Sequence, residues 1–502
     1  MELEFQQKMT NYLKKTLSQV QNQEETLETV IPDSMPDAQR ILGCWGNPVI
    51  RSREWRTGGM TLSGGVEARV LYDPGEEGTP QLLEMYLPFS LSWEQDMGPE
   101  EGPMIHDCRI RGMDARIVNS RKILVRVNLT AKGEAFCRAQ EPLFSLAEPV
   151  EGLELLRERF SVVLPAEIQE KTFLVDEDLE LPATCPEMEK LLRVSAQPEL
   201  TDQKVLGGKG VFKGFLLLHM LYLSREGKLC TWDFDVPMSQ FAELERIYDN
   251  EEELQVTLLL SALELTAEED GRRLRLRCSY IAQCQVIART EIEALKDAYS
   301  LSREAVPAFR DLELPSRLDR QSLRCQGEFS MPIPAGVLID GAFYPEFPRT
   351  VRSEETVRLE VPFTAAVLYQ DESGKLQLRS GSGTASCETT LAEGCRAEAQ
   401  AAASGSPQWA QGGGSCILRE SLNVTVDSYG QNGAQVLCGL EMGETRKPDP
   451  DRPAVILRRP GREEDLWAVA KAFGSTRSAI EKANHLEGKP LDPDMMLLIP
   501  VV

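Results

Sequence analysis

An internal alignment at one fixed offset constrains this chain more than any other feature. Ile31-Pro32, Pro36, Arg40, Ile41-Leu42, Gly64 and Leu71-Tyr72 recur 150 residues later as Leu181-Pro182, Pro186, Lys190, Leu191-Leu192, Gly214 and Leu221-Tyr222. A constant offset across turn, apolar and aromatic positions marks a duplicated unit. The match continues one residue out of phase, from Leu87-Pro88-Phe89-Ser90 to Val236-Pro237-Met238-Ser239, as a one-residue loop deletion would produce. A third pair, Leu368-Tyr369, is followed by Gly374-Lys375-Leu376, at the same distance as Gly227-Lys228-Leu229 follows Tyr222. It marks a diverged copy.

Period-two patterning makes the copies β structure. Ile123, Val125, Val127 and Leu129 alternate with Lys122, Leu124, Arg126 and Asn128, and Leu274, Leu276, Cys278 and Tyr280 alternate with Arg273, Arg275, Arg277 and Ser279. Such strands bury one face and solvate the other. Val66, Ala68 and Val70, and likewise Phe215, Leu217, His219 and Leu221, read as buried faces ahead of tight turns. The expected fold is mainly β, with tandem antiparallel sandwich-like repeats over 31–145, 165–290 and 300–442, the last diverged. Phe5, Met9, Tyr12, Leu13, Leu17 and Val20 recur at helical spacing, so residues 1–30 are expected to form an amphipathic helix. Three prolines make 443–453 a linker to a separate module over 454–502.

Composition narrows the function. Lys+Arg 55 against Asp+Glu 79 gives a net charge of −24, which repels phosphate backbones and anionic lipid, so no nucleic-acid partner is expected. The apolar run Phe215 to Leu223 is too short to span a bilayer, and the amino terminus lacks the basic-then-apolar order of a signal peptide. A soluble intracellular protein without membrane insertion is the expectation. Twelve cysteines form no C-x-x-C pair and read as buried thiols of a reducing compartment, and three histidines leave little material for a metal or His-based site. No nucleophile elbow, phosphate loop or zinc helix is present, and Gly207-Gly208-Lys209-Gly210 reads as a hairpin turn. No enzyme activity, cofactor or metal is expected.

The last segment reads β-α-α-β. Asp465 caps a helix carrying Leu466, Trp467 and Ala470, Gly474 ends it, Ser475 or Thr476 caps a second helix with Ile480, Asn484 closes that helix, and a strand returns through Ile499. Leu466-Trp467, Ala470, Gly474 to Thr476, Ala479-Ile480, Ala483-Asn484, Leu486 and Leu497 to Pro500 closely resemble the LysM domain pattern. That resemblance implies a module binding N-acetylglucosamine polymers through loops at one end, here Gly461, Arg462, Glu463, Glu464 and Asp465 with Leu491, Asp492, Pro493 and Asp494. The first loop is longer and more charged than the family's Gly-Asp-Thr, and Pro493-Asp494 replaces its Pro-Gly turn. Both changes favour a protein over a sugar.

Ile31-Pro32 with Pro36-Asp37, the Leu-Tyr pairs, Leu87 to Ser90, Asn119 to Lys122, and their counterparts Val236 to Ser239 and Gly271 to Leu274 resemble the SPOCS domain of endospore-forming Firmicutes. Repeated SPOCS followed by LysM is similar to the SipL-like spore-coat morphogenetic family. The resemblance implies a mother-cell adaptor at the forespore surface or spore coat, whose partners are coat or forespore-surface proteins. The alternative left open is a peptidoglycan-binding protein of the cortex or wall.

Overall fold

The computed structural model describes residues 5–56, 58–75, 79–94, 102–146, 150–333, 336–353, 356–391, 394–403, 408–412, 414–446, 452–461, 464–486, 491–492 and 495–501. Alternating side chains send nearly all of them into antiparallel strands. The first β unit holds β1 (Phe5–Val30), β2 (Arg40–Arg56), β3 (Gly59–Asp73), β4 (Gln81–Glu94), β5 (Met104–Asn119) and β6 (Lys122–Leu146). They form two sheets, ordered β1-β6-β5 and β2-β3-β4. Met60, Leu62, Val66 and Tyr72 from one sheet meet Val125, Val127 and Leu129 from the other in a single core.

The second unit holds β7 (Leu153–Glu180), β8 (Met188–Ser224), β9 (Leu229–Tyr248), β10 (Glu253–Ala267) and β11 (Arg273–Ser300). Its sheets are β10-β11-β7 and β8-β9. β8 doubles back at Gly207, where φ is 61°, so this one strand covers the ground of β2 and β3, and the expected turn is there. The third unit holds β12 (Arg303–Pro332), β13 (Gly336–Pro345), β14 (Arg349–Ser353), β15 (Thr356–Asp371), β16 (Leu376–Thr390), β17 (Arg396–Ala403), β18 (Gln408–Gly412) and β19 (Ser415–Thr445). These join one eight-stranded sheet because Gln326 on β12 bridges Ser386 on β16. The chain ends with β20 (Val455–Arg458), α1 (Leu466–Phe473), α2 (Arg477–Asn484) and β21 (Leu497–Pro500), β20 and β21 pairing antiparallel.

Corresponding positions of the first two units make corresponding bonds. The Ile31 amide donates to Arg121 O at 2.8 Å and the Leu181 amide to Arg272 O at 2.9 Å. The Tyr72 hydroxyl donates to Pro36 O at 2.9 Å and the Tyr222 hydroxyl to Pro186 O at 3.1 Å. Arg121 donates to the carbonyls of Pro32 and Met35, and Arg272 to those of Pro182 and Cys185. Gly64 and Gly214 are both fixed by close backbone approach: a Cβ would lie 2.2 Å from Val49 O in one and 2.0 Å from Glu199 O in the other. Any side chain there must push two strands apart.

The Leu-Tyr pair divides its labour by alternation. Tyr72, Tyr222 and Tyr369 enter the cores of their own units. Leu71, Leu221 and Leu368 point the opposite way and meet in one shared cluster with Leu42 and Leu192. The long ribbons β1/β6, β7/β11 and β12/β19 also converge, through Tyr12, Leu143, Val162, Ile292, Leu312 and Val436. Burying each leucine stabilises the three-way junction by roughly 1.5–3 kcal/mol.

Four expectations are corrected. Residues 1–30 are not an amphipathic helix: β1 pairs with β6 from Phe5↔Leu146 to Val30↔Lys122. A bulge between Lys15 and Leu17 resets the phase, so apolar residues that mimic a helical stripe serve a strand, with Leu13 and Leu17 buried and Met9 and Val20 exposed. The buried face of β8 is Phe212, Leu216, Leu218, Met220 and Tyr222, leaving Phe215 exposed, because both neighbouring residues are apolar and alternation alone does not choose between them. Cys325 and Cys387 form a disulfide between β12 and β16, against the expectation of free thiols throughout; they lie 62 residues apart and only the sheet register makes them neighbours. Pairing also outruns the expected boundaries: Leu153 pairs Ser300, and Arg303 pairs Thr445, so the first residues of the 443–453 linker belong to β19. Residues 447–451 of that linker lie outside the described residues.

Candidate functional site

The carboxy-terminal module is held by the predicted caps. Asp465 Oδ1 accepts from the Ala468 amide at 2.6 Å, Thr476 Oγ1 accepts from the Ala479 amide at 3.0 Å, and Gly474 ends α1 with φ at 62°. Trp467, Ala470, Ile480, Leu497 and Ile499 form the core, with Leu466 packed against it. Asn484 does more than close α2: its amide nitrogen donates to Ile480 O at 2.8 Å and to Leu498 O, and its Oδ1 accepts from the Leu498 amide at 2.7 Å. That stitches α2 to β21.

The predicted ligand loops serve this scaffold first. The Glu464 carboxylate accepts from the Gly461 amide at 2.8 Å and from Arg458 at 2.7 Å, bonds that hold it below the usual carboxylate range. Arg458 lies over the Phe473 ring at 5.1 Å, fixing the loop to β20 and α1. Leu491 packs against the module core, and Asp492 O accepts from the Met495 amide at 3.1 Å. Arg462, Glu463, Pro493 and Asp494 lie outside the described residues.

The module is docked on the end of β11 through two residues that sequence reasoning missed. Trp467 Nε1 donates to Asp297 Oδ2 at 2.8 Å, and Lys471 pairs with the same carboxylate at 2.7 Å. The Tyr299 ring meets Trp467 edge-on at a centroid distance of 4.8 Å, and its hydroxyl donates to Ser475 O at 2.7 Å. Trp467 is thus core and interface at once, and its indole N–H is satisfied where it is buried. The only sequence signal was an Asp and a Tyr two apart on one strand.

A second polar centre lies where the β units meet, beside a cavity of about 1070 Å³ lined by all three. Asp340 on β13 accepts from Arg193 at 2.7 Å and bonds His219 Nε2 at 2.9 Å, while His219 Nδ1 meets Asp233 at 2.7 Å. Both imidazole nitrogens face carboxylates, so both donate and the ring is held as a cation. Burial opposes that charge, but the bonds to Asp233 and Asp340 raise the His219 pKa above its ordinary value. Burial likewise works against the Asp340 carboxylate, and Arg193 and His219 outweigh it, holding the group at about 2. This cluster ties the second unit to the third. A second tie, Lys15 with Glu134 and Glu398, links the first to the third. Among the described residues, no group of three or more His, Cys, Asp or Glu side chains is placed to hold a metal.

Fold and site together define a mainly β protein of several antiparallel sheets carrying a small docked β-α-α-β module. No family model, no curated protein and no solved structure matches the chain. No helix among the described residues is long and apolar enough to cross a membrane.

Proposed function

We propose that this protein is a non-enzymatic scaffold of endospore envelope assembly, acting on the mother-cell side and presenting coat or forespore-surface proteins to one another through its β units and its LysM-like module. The observation that carries the proposal is the docking of the module through Trp467 and Lys471 onto Asp297, which fixes α1 of the module against the β units. A fixed platform with two kinds of surface suits a protein whose work is to hold partners at a set spacing. The corresponding bonds of Tyr72 and Tyr222, and of Arg121 and Arg272, support a duplicated domain of the SPOCS type beneath it.

The second reading, peptidoglycan binding, is favoured by the β-α-α-β order and by caps at Asp465 and Thr476. One experiment separates the two. The full-length protein is sedimented with purified cortex peptidoglycan and, in parallel, used to capture solubilised forespore-surface proteins. Capture without sedimentation is the expected result; sedimentation with no protein captured overturns the scaffold in favour of the glycan.

A further inference from the structure

The same sheet face is made three times in this molecule, and one version differs. In the first unit the outer face of β3 and β4 is polar and internally paired: Thr61 bonds Ser92, Ser63 bonds Ser90, and Arg69 pairs with Glu84 at 2.9 Å. Its one large ring, Tyr86, lies over the backbone of Gly65. In the third unit, Glu360, Pro362, Thr364 and Ala366 on β15 stand opposite Ser386, Thr384, Ser382 and Ser380 on β16. That face is small and hydroxylated.

The second unit breaks the pattern. Where the first has Ser63, Gly65 and Ser92, the equivalent places on β8 and β9 hold Lys213, Phe215 and Phe241. Phe215 is 42% exposed and Phe241 37%. The ammonium groups of Lys171 and Lys209 lie 4.0 and 4.5 Å from the Phe241 ring centroid. None of Lys171, Lys209 and Lys213 forms an ion pair among the described residues, in a chain whose net charge is −24, whereas Arg69 on the matching face of the first unit pairs with Glu84. Two aromatic rings with the ammonium groups of Lys209 and Lys213 on one sheet face, and that of Lys171 reaching the Phe241 ring from β7 of the other sheet, complement a ligand that is both anionic and apolar.

We propose that the outer face of β8 and β9 is a docking surface for an acidic peptide segment of a partner protein that carries aromatic or large aliphatic side chains, its carboxylates meeting Lys171, Lys209 and Lys213 and its apolar groups meeting Phe215 and Phe241. This deepens the scaffold reading and rests on it, since it names one of the surfaces by which a partner is held. The face lies on the sheet of the second β unit, apart from the module.

The test uses the full chain and a defined probe, the fluorescein-labelled peptide Glu-Phe-Glu-Leu-Glu-Phe-Glu, beside its analogue with every Glu replaced by Gln. Saturable binding that weakens with added salt and is lost with the Gln analogue is expected. Lys171→Glu, Lys209→Glu and Lys213→Glu combined, and separately Phe241→Ala, should each weaken it by about ten-fold or more. Lys209 and Lys213 are exposed and Lys171 is partly buried, so an unchanged thermal transition serves as the control for folding. Equal binding of both peptides, or unchanged affinity in the triple variant, overturns the proposal. So does concentration-dependent self-association that the triple variant abolishes, which would assign the face to a second copy of this chain. If the triple variant still captures forespore-surface proteins as well as the wild type, this surface fails and the scaffold stands. If the wild type captures none, the scaffold fails while the peptide titration still reports on the face.

Discussion

Two carboxylates on strands of the third unit, Asp340 and Glu420, are both 5% exposed and meet opposite fates. Asp340 reaches across to the second unit and finds Arg193 and His219. Glu420 sits on the face of β19 that also carries Leu418, Leu422 and Val424, and its Oε1 has no hydrogen-bond partner. Burial penalises both, and at Glu420 it pushes the carboxyl up to about 7 with nothing to oppose it. Position in the fold decides between them: a carboxylate at the seam between units can recruit charge from a neighbour, whereas on the face of Leu418, Leu422 and Val424 no charge offsets the burial of Glu420. The junction cluster therefore specifies how two units meet, and Glu420 subtracts from the stability of one.

Removing the acid from each site should have opposite effects. Asp340→Ala leaves Arg193 buried without its counter-charge and His219 with one carboxylate, so unfolding should become easier by about 3–5 kcal/mol. Urea denaturation measures it, and a change under about 1 kcal/mol would show that the cluster does not hold the units. Adding Arg193→Met to Asp340→Ala should restore part of the loss, because the stranded charge is then gone.

Asp297 is an intermediate case, a partly buried carboxylate shared by two partners across a domain seam. Trp467→Ala removes core as well as docking and should unfold the module, at a cost of about 3–5 kcal/mol. Asp297→Ala should cost less, about 1.5–3 kcal/mol, and undock the module while leaving it folded. Hydrogen exchange separates them: β20 and β21 amides lose protection in the first variant and keep it in the second. Loss of protection in both would make Asp297 part of the module's own stability.

The contrast also explains what the sequence could and could not show. Fold class was legible, since alternation at Leu274 to Tyr280 and the Leu-Tyr pairs are local signals, as were the caps Asp465 and Thr476. The strand at 5–30 was not, because its bulge turns a period of two into an apparent helical stripe and its partner is far off in the chain, with Val30 paired to Lys122 and Phe5 to Leu146. Arg193, His219 and Asp340 could not be brought together from sequence, since Asp340 stands 147 residues from Arg193 and the seam exists only once three units pack. In the module, Gly461 and Glu464 bond each other, a contact that no spacing announces, and Asp297 and Tyr299 belong to no motif.

The smallest effect is the most discriminating, because it has a sign that changes with pH. Glu420 has a folded pKa of about 7 against an ordinary 4.5, so between those values the folded state holds more protons than the unfolded one, and stability falls as pH rises. His106 opposes it. Both of its ring nitrogens are unpartnered, and burial, then Arg53, lowers its pKa to about 3 from 6.5, so stability falls as pH drops below 6.5. In their shared window, between about 4.5 and 6.5, the two slopes offset one another. His219 contributes in full below 6.5 and loses its contribution only as pH rises through its raised value, so it leaves that window level. Glu420→Gln should therefore stabilise the protein by about 1–3 kcal/mol at pH near 8 and by little at pH near 5. In that variant Glu420 no longer offsets the His106 slope, and stability should climb more steeply with pH across the window than in the wild type. Adding His106→Phe should remove that extra climb. A Glu420→Gln variant whose gain is the same at both pH values would mean that the carboxyl is not carrying its proton into the core, and the difference between the two buried acids would then lie in packing and not in charge.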